Sequence, residues 1–125
     1  MIIYHGLTDT LIVASDTIDY YDDLIDVTFN GDSEAAKKSA RLFLAPGMNH
    51  CGGGDGPNAW DKLSPLVDWV ENGVAPERII ATHATNGEID NERPLCAYPK
   101  QAKYIGSASD ASSPQSWRAE NFQCQ

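Results

Sequence analysis

The sequence predicts an α/β fold, built from the last strands and helices of a mostly parallel sheet and ending in a loop-rich tail. Three observations predict it. The first 83 residues read strand, helix, strand, loop, helix, the order of units whose strands run parallel. The strand candidates are near-continuous apolar runs, which implies cover on both faces. The two or three strands on offer also make too small a sheet, so the reading is of the final third of a larger one.

Each element has its own warrant. Ile2 to His5 is a short apolar run suited to a buried strand, and Gly6 to Thr10 then turns. Leu11-Ile12-Val13 is apolar but short. Ser15 or Asp16 can cap a helix that runs through Asp26, with Ile18, Tyr21, Leu24 and Ile25 at helical spacing. Asp19, Asp22, Asp23 and Asp26 occupy its other faces and suit a solvated surface better than paired catalytic carboxylates. Asn30 to Ser33 is a polar linker with a charged stretch after it to Lys38, and Arg41 to Ala45 reads as a second strand.

Pro46 to Pro57 contains too many glycines for regular structure and has prolines at both ends. Ala59 to Asn72 is helical, with Ala59, Leu63, Leu66, Val67 and Val70 on one side and Gly73 as its stop. Pro65 either kinks this helix, or lies in its first turn with Ser64 as the cap. Ile79 to Thr82 is a third short extended segment, and everything after His83 reads as loop. The chain divides accordingly into a core part, residues 1–83, and a tail of the same domain, residues 84–125.

Composition excludes several functions. At 125 residues and 42% apolar content the chain is one globular domain at most. A formal net charge of −9 argues against nucleic acid or an anionic membrane surface as partner. No stretch reaches the roughly 20 apolar residues of a membrane-spanning helix. Met1 leads at once into Ile2-Ile3-Tyr4, which reads as strand rather than signal peptide, and this start in mid-strand suggests a fragment. The three cysteines leave one over if two pair. Cys96 and Cys124 lie in the tail, where a disulfide would supply order that the tail's own core cannot. Cys51 has no obvious mate, and on general grounds a lone cysteine is often a buried free thiol.

Two loops carry the candidate chemistry: His5-Gly6-Leu7-Thr8-Asp9 and Gly47-Met48-Asn49-His50-Cys51, each directly after a strand. Doubly wound sheets place their working residues there. An acid after one strand and a histidine after the next fit the order serine, acid, histidine of a hydrolase triad. In such a triad the carboxylate fixes the imidazole's tautomer, and the imidazole takes the serine proton and returns it to the leaving group. Asp9 equally suits an Asx turn, and His50 a hydrogen-bonding role within an irregular loop. His5 and His83 read as structural, since nothing in the sequence pairs with them. The glycines after Cys51 lack the lysine of a phosphate loop. His50, Cys51 and His83 lack the fourth ligand and short spacing of a zinc site, so neither metal nor cofactor is called for.

The blocks His5-Gly6-x-x-Asp9-x-x-Ile12, Thr17-Ile18-Asp19-Tyr20-Tyr21 and Ala45-Pro46-Gly47-Met48-x-His50-Cys51-x-Gly53-Gly54 resemble the last blocks of the tannase and feruloyl esterase family. Leu66-Val67-Asp68-Trp69-Val70-Glu71-x-Gly73-x-Ala75-Pro76, Ile80-Ala81-Thr82, Arg93-Pro94-Leu95-Cys96-x-Tyr98-Pro99 and Asn121-Phe122-x-Cys124 continue the match over essentially the whole chain. The His-Cys pair within a glycine-rich loop is its most specific part. The resemblance implies a partial α/β-hydrolase fold with Asp9 as triad acid and His50 as base. It also implies that Cys51 is half of a bridge to a cysteine outside these residues, and that Cys96 pairs with Cys124 to close the tail.

No Gly-x-Ser-x-Gly or Cys-Ser sequence occurs in the chain, and its serines fall in caps, linkers and tail. The family's lid domain, with its structural calcium site, has no counterpart here either. The expectation is therefore a secreted or periplasmic ester hydrolase acting on aromatic-acid esters, of which this chain supplies the acid and the base but no nucleophile. The alternative is a non-catalytic module that self-associates, through Cys51 or through exposed strand edges.

Overall fold

The computed structural model describes residues 1–107, 110, 112, 113 and 116–125. Strand β1 (Ile2–Gly6) leads through a turn to helix α1 (Ala14–Asp23), which continues into one π-helical turn at Leu24–Thr28. Helix α2 (Ser33–Lys37), strand β2 (Arg41–Ala45) and helix α3 (Ser64–Asn72) follow. A hairpin of β3 (Arg78–Thr85) and β4 (Glu88–Cys96) precedes two short strands, β5 (Ala102–Tyr104) and β6 (Phe122–Cys124).

β1 and β2 pair in parallel, from Ile2 opposite Arg41 to Gly6 opposite Ala45. Both of their faces are covered, as their apolar sequences require. Leu42 packs on one side with Tyr21 and Ala40, against Ile18, Leu24 and Ile25 of the first helical segment. Phe43 and Ala45 point the other way into a cluster with Met48, Ile79, Ala81 and Leu95. The alternation of β2 thus divides the core in two, and both halves rest on one strand.

The mostly parallel sheet is not observed. The described strands form three two-stranded sheets, and only β1–β2 is parallel. β3–β4 and β5–β6 are antiparallel. The reason is local: Asn86-Gly87 joins β3 to β4 with φ of 53° and 85°, the two left-handed residues of a tight hairpin turn. The segment after His83 is therefore not simply loop. Ala97 bridges Phe43, and the Tyr98 amide donates to the Leu42 carbonyl at 2.8 Å, so the hairpin's end closes the outer edge of β2.

The helices also differ from expectation in detail. α1 starts one residue before Ser15, with Val13 at its N-cap position and no side-chain cap. Residues 33–37 form a helix because the Asp32 carboxylate accepts from the amides of Glu34 and Ala35 at 3.1 and 3.0 Å. α3 starts at Ser64 with Pro65 in its first turn, and Asp61, not Ser64, supplies the acceptor for the leading amides. Ala59 stays outside that helix and bridges Thr82 instead. The stripe Leu63, Val67 and Val70 faces solvent rather than core.

Cys96 and Cys124 form a disulfide that ties β6 to the end of β4. Among the described residues, no helix is long and apolar enough to cross a membrane.

Candidate active site

The parallel pairing of β1 and β2 sends two loops out at the same end of the sheet. Backbone bonds then zip the loops together. The Leu7 amide donates to the Ala45 carbonyl at 3.0 Å and the Thr8 amide to the Met48 carbonyl at 3.1 Å. The Thr8 hydroxyl adds a bond to the Met48 carbonyl at 2.8 Å. Gly6 is needed for this approach, because a Cβ there would run into the Met48 carbonyl oxygen. Gly54, at φ +89°, meets the same demand inside the second loop, where a Cβ would strike the Gly47 carbonyl. The buried Met48 side chain anchors that loop in the core.

The zipped loops bring Asp9 and His50 together. Nδ1 of His50 donates to Oδ2 of Asp9 at 2.7 Å. The other oxygen, Oδ1, accepts from the amides of Leu11 and Ile12 at 2.8 and 3.1 Å. The apolar Leu11-Ile12-Val13 segment, unassigned in the sequence, is thus the turn that wraps the carboxylate. Asp9 exposes only 3% of its side chain, whereas His50 exposes 44%.

Burial alone would raise the Asp9 pKa. The hydrogen bond from His50 and those from the Ile12 and Leu11 amides, with the charge of His50, outweigh burial and hold it at about 2. An ionised carboxylate only accepts, so Nδ1 of His50 carries the proton of that bond. In neutral His50 this leaves Nε2 as the acceptor. Among the described residues no hydrogen bond is made to Nε2, and the His50 side chain is 44% exposed. The arrangement can orient an imidazole and let it take a proton from an approaching hydroxyl.

A third residue, read as structural in the sequence, stands behind the pair. His5 accepts from or donates to the Thr17 hydroxyl through Nδ1 at 2.7 Å, and its Nε2 lies 3.0 Å from the Ile12 carbonyl. Since a carbonyl only accepts, Nε2 carries the proton there and Nδ1 accepts from Thr17. The same Nε2 lies 3.6 Å from Oδ2 of Asp9. His5 therefore has partners after all. So does His83, whose Nδ1 is 2.6 Å from Asp90, away from the Asp9 site. The i, i+4 spacing of His5 and Asp9 across a turn was the one available hint of their contact.

Cys51, next to His50, is a free and exposed thiol with φ of 59°, so the buried-thiol reading fails. The strain belongs to a loop that must turn sharply once His50 has been presented. Among the described residues, no group of three or more histidines, cysteines or acids could hold a metal ion.

Comparison with known proteins shows the family of the chain. The family model described as "Tannase and feruloyl esterase" matches residues 1–119. The mono(2-hydroxyethyl) terephthalate hydrolase of Piscinibacter sakaiensis is 48% identical over 110 residues, covering 86% of this chain and 17% of that protein. A probable feruloyl esterase of Arthroderma benhamiae is 38% identical over 125 residues, covering 97% of this chain and 22% of its own length. The crystal structure of an esterase from Aspergillus oryzae superposes with a TM-score of 0.83 at 31% identity, over 99% of this chain and 27% of that one. The chain thus spans about a quarter or less of the length of such relatives. It belongs to the tannase and feruloyl esterase family.

Proposed function

We propose that the protein to which these residues belong is a serine-type carboxylic ester hydrolase acting on esters of aromatic acids. Asp9 orients His50, and His50 moves the proton between a serine outside these 125 residues and the leaving alcohol. The observation that carries the reading is the 2.7 Å bond from Nδ1 of His50 to an Asp9 carboxylate already fixed by two backbone amides. It leaves Nε2, the nitrogen that has to deprotonate an attacking hydroxyl, without a hydrogen bond among the described residues. The names of the relatives support ester hydrolysis and, in part, aromatic acids as the acyl group. On this reading β1 and β2 are the last parallel strands of an α/β-hydrolase sheet. The Cys96–Cys124 disulfide supports an oxidising compartment, and hence a secreted or periplasmic protein.

The mechanism needs few parts from this chain. The serine oxygen attacks the ester carbonyl as its proton passes to Nε2 of His50. The imidazolium so formed is stabilised by Asp9, then protonates the departing alkoxide. Water repeats the cycle on the acyl-enzyme. A fluorophosphonate probe tests the division of labour. The 125-residue chain should show no stoichiometric labelling, whereas a protein that also carries the nucleophile should label at one serine and lose that labelling in His50→Gln. Stoichiometric labelling of a serine within residues 1–125 would overturn the proposal.

A second reading, a non-catalytic module that self-associates, is favoured by the solvent-facing Leu11, Val27 and Val70, each more than three-quarters exposed. The exposed Cys51 thiol is a further contact point for a second copy. Light scattering decides it: this reading requires a dimer or larger species that Cys51→Ser or a reductant weakens, and a monomer at all concentrations excludes it.

A further inference from the structure

Thr17 stands inside α1, where a β-branched side chain favours the helix less than alanine, glutamate or lysine would. A threonine hydroxyl in a helix ordinarily bonds back to a carbonyl one turn earlier. That of Thr17 leaves the helix and meets Nδ1 of His5 on β1 at 2.7 Å. The sheet sets up this meeting. His5 lies opposite Leu44 in the β1–β2 register and so shares its face, and Leu44 packs into the cluster covered by Ile18, Leu24 and Ile25. His5 exposes only 11% of its side chain, so water is poorly placed to take over from Thr17.

Chemistry fixes the direction of each bond that follows. The Ile12 carbonyl and the ionised Asp9 carboxylate can only accept, so Nε2 of neutral His5 carries the proton. That N–H meets the Ile12 carbonyl at 3.0 Å, with Oδ2 of Asp9 3.6 Å away. Nδ1 is then a bare acceptor, and the Thr17 hydroxyl is its donor. Ile12 is held through both of its backbone groups: its carbonyl accepts from His5, while its amide donates to Oδ1 of Asp9 at 3.1 Å. The bonds form one continuous chain from the Thr17 hydroxyl through His5, the Ile12 backbone and Asp9 to His50. Thr17 is its outer end and the member that ties it to α1.

We propose that Thr17 is a positioning residue for the Asp9–His50 pair, an inference that rests on the ester-hydrolase reading: its hydroxyl holds His5 in the tautomer whose Nε2–H secures the Ile12 carbonyl beside Asp9. Without the hydroxyl, Nδ1 loses its donor, and the ring is held neither to one rotation nor to one tautomer. The alternative Nδ1–H form turns the lone pair of Nε2 on the Ile12 carbonyl and opens the turn that fixes the plane of the Asp9 carboxylate. The orientation of His50 loosens with it. Thr17 touches no reacting atom and acts only through His5 and Asp9, so its loss lowers kcat and spares KM.

Nitrogen-15 NMR of the 125-residue chain at about pH 8, where an ordinary imidazole is neutral, reads the His5 tautomer. The unmodified chain should show Nε2 protonated and Nδ1 bare. In Thr17→Val, which keeps the branched shape without the hydroxyl, the two nitrogen signals should move toward each other as the second tautomer is populated, and Thr17→Ser should return the original pattern. In a protein that carries the nucleophile, Thr17→Val should lower kcat about threefold to tenfold with KM within about twofold, and Thr17→Ser should recover most of the loss. An unchanged His5 pattern in Thr17→Val overturns the proposal. So do an unchanged kcat, a loss confined to KM, and a Thr17→Ser variant as impaired as Thr17→Val. The ester-hydrolase reading fails by a separate result, a His50→Gln variant that keeps its activity, and the His5 spectra then still test the hold of Thr17 on His5. Should Thr17→Val fail to fold, Thr17→Ala against Thr17→Ser makes the same comparison, and an unmodified His5 ring with its proton on Nδ1 overturns the proposal outright.

Discussion

Replacing Asp9 with asparagine alters one atom's chemistry and almost nothing of its shape. In the native site Oδ1 accepts from the Leu11 and Ile12 amides, which can only donate. The asparagine oxygen must take that place, so the new NH2 group faces His50. Nδ1 of His50 then has to accept where it formerly donated, and the proton moves to Nε2. The atom that should receive the serine proton is thereby blocked while the ring stays where it was. Enforcing the wrong tautomer in a serine-histidine-acid triad costs about ten-thousandfold in kcat. Asp9→Asn in a protein carrying the nucleophile should show a loss of that order in ester hydrolysis, with KM little changed. Nitrogen-15 NMR of the 125-residue chain reads the cause directly, as a switch of the His50 proton from Nδ1 to Nε2. A variant that keeps more than about a tenth of the activity, or a ring that keeps its Nδ1 proton, would refute the reasoning.

Other expectations follow from the same coordinates. Asp9, held near pKa 2 when folded and close to the ordinary aspartate value when unfolded, contributes stability that is fully present above about pH 4. That contribution is lost as pH falls toward 2, so Asp9→Asn should flatten the acid limb of a pH–stability curve; an unchanged limb counts against the hydrogen bonds assigned to the carboxylate. His5→Ala removes the ring that links Thr17 and the Ile12 carbonyl, and should lower kcat about fivefold to tenfold with KM unchanged, read in steady-state kinetics. Reducing the Cys96–Cys124 bridge, which spans 28 residues, should cost about 3–4 kcal/mol on the loop-closure model, measured by urea unfolding with and without reductant. Gly87→Ala forces a side chain onto φ +85° in the β3–β4 turn and should cost about 1 kcal/mol or more in the same assay.

What the sequence made legible, and what it hid, follows from the range of the signals. β1, β2 and the residue types at their ends were readable because continuous apolar runs and glycine-rich loops are local features. The pairing of Asp9 with His50 came from chain order and family resemblance, since no spacing rule links positions 41 residues apart. The β3–β4 hairpin was missed although its signal is local: Asn86-Gly87 is a strong hairpin turn, but its flanks mix charged residues with Pro94, which reads against a strand. The role of His5 could not be read in this way, because its partners Thr17, Ile12 and Asp9 meet only once the turn after β1 has closed. The stripe on α3 misled for another reason. Periodicity reports an apolar face, and only tertiary structure reports whether these residues cover it.

The two sequence readings of Asp9, an Asx-type turn and an acid that orients a histidine, make separate demands on one carboxylate. A carboxylate has two oxygens, and here the turn uses Oδ1 while His50 uses Oδ2. The backbone bonds fix the plane of the group, and so the turn determines where Oδ2 points. Aspartate-to-asparagine and aspartate-to-alanine changes should therefore part company. The asparagine keeps the acceptor that shapes the turn and loses only the proton logic. The alanine leaves two solvent-accessible amides without their acceptor, which water can partly replace, and so loosens the loop along with the chemistry. If the alanine variant unfolded at the same denaturant concentration as the asparagine variant, the turn would be formed without the carboxylate. The orientation of His50 would then need another source.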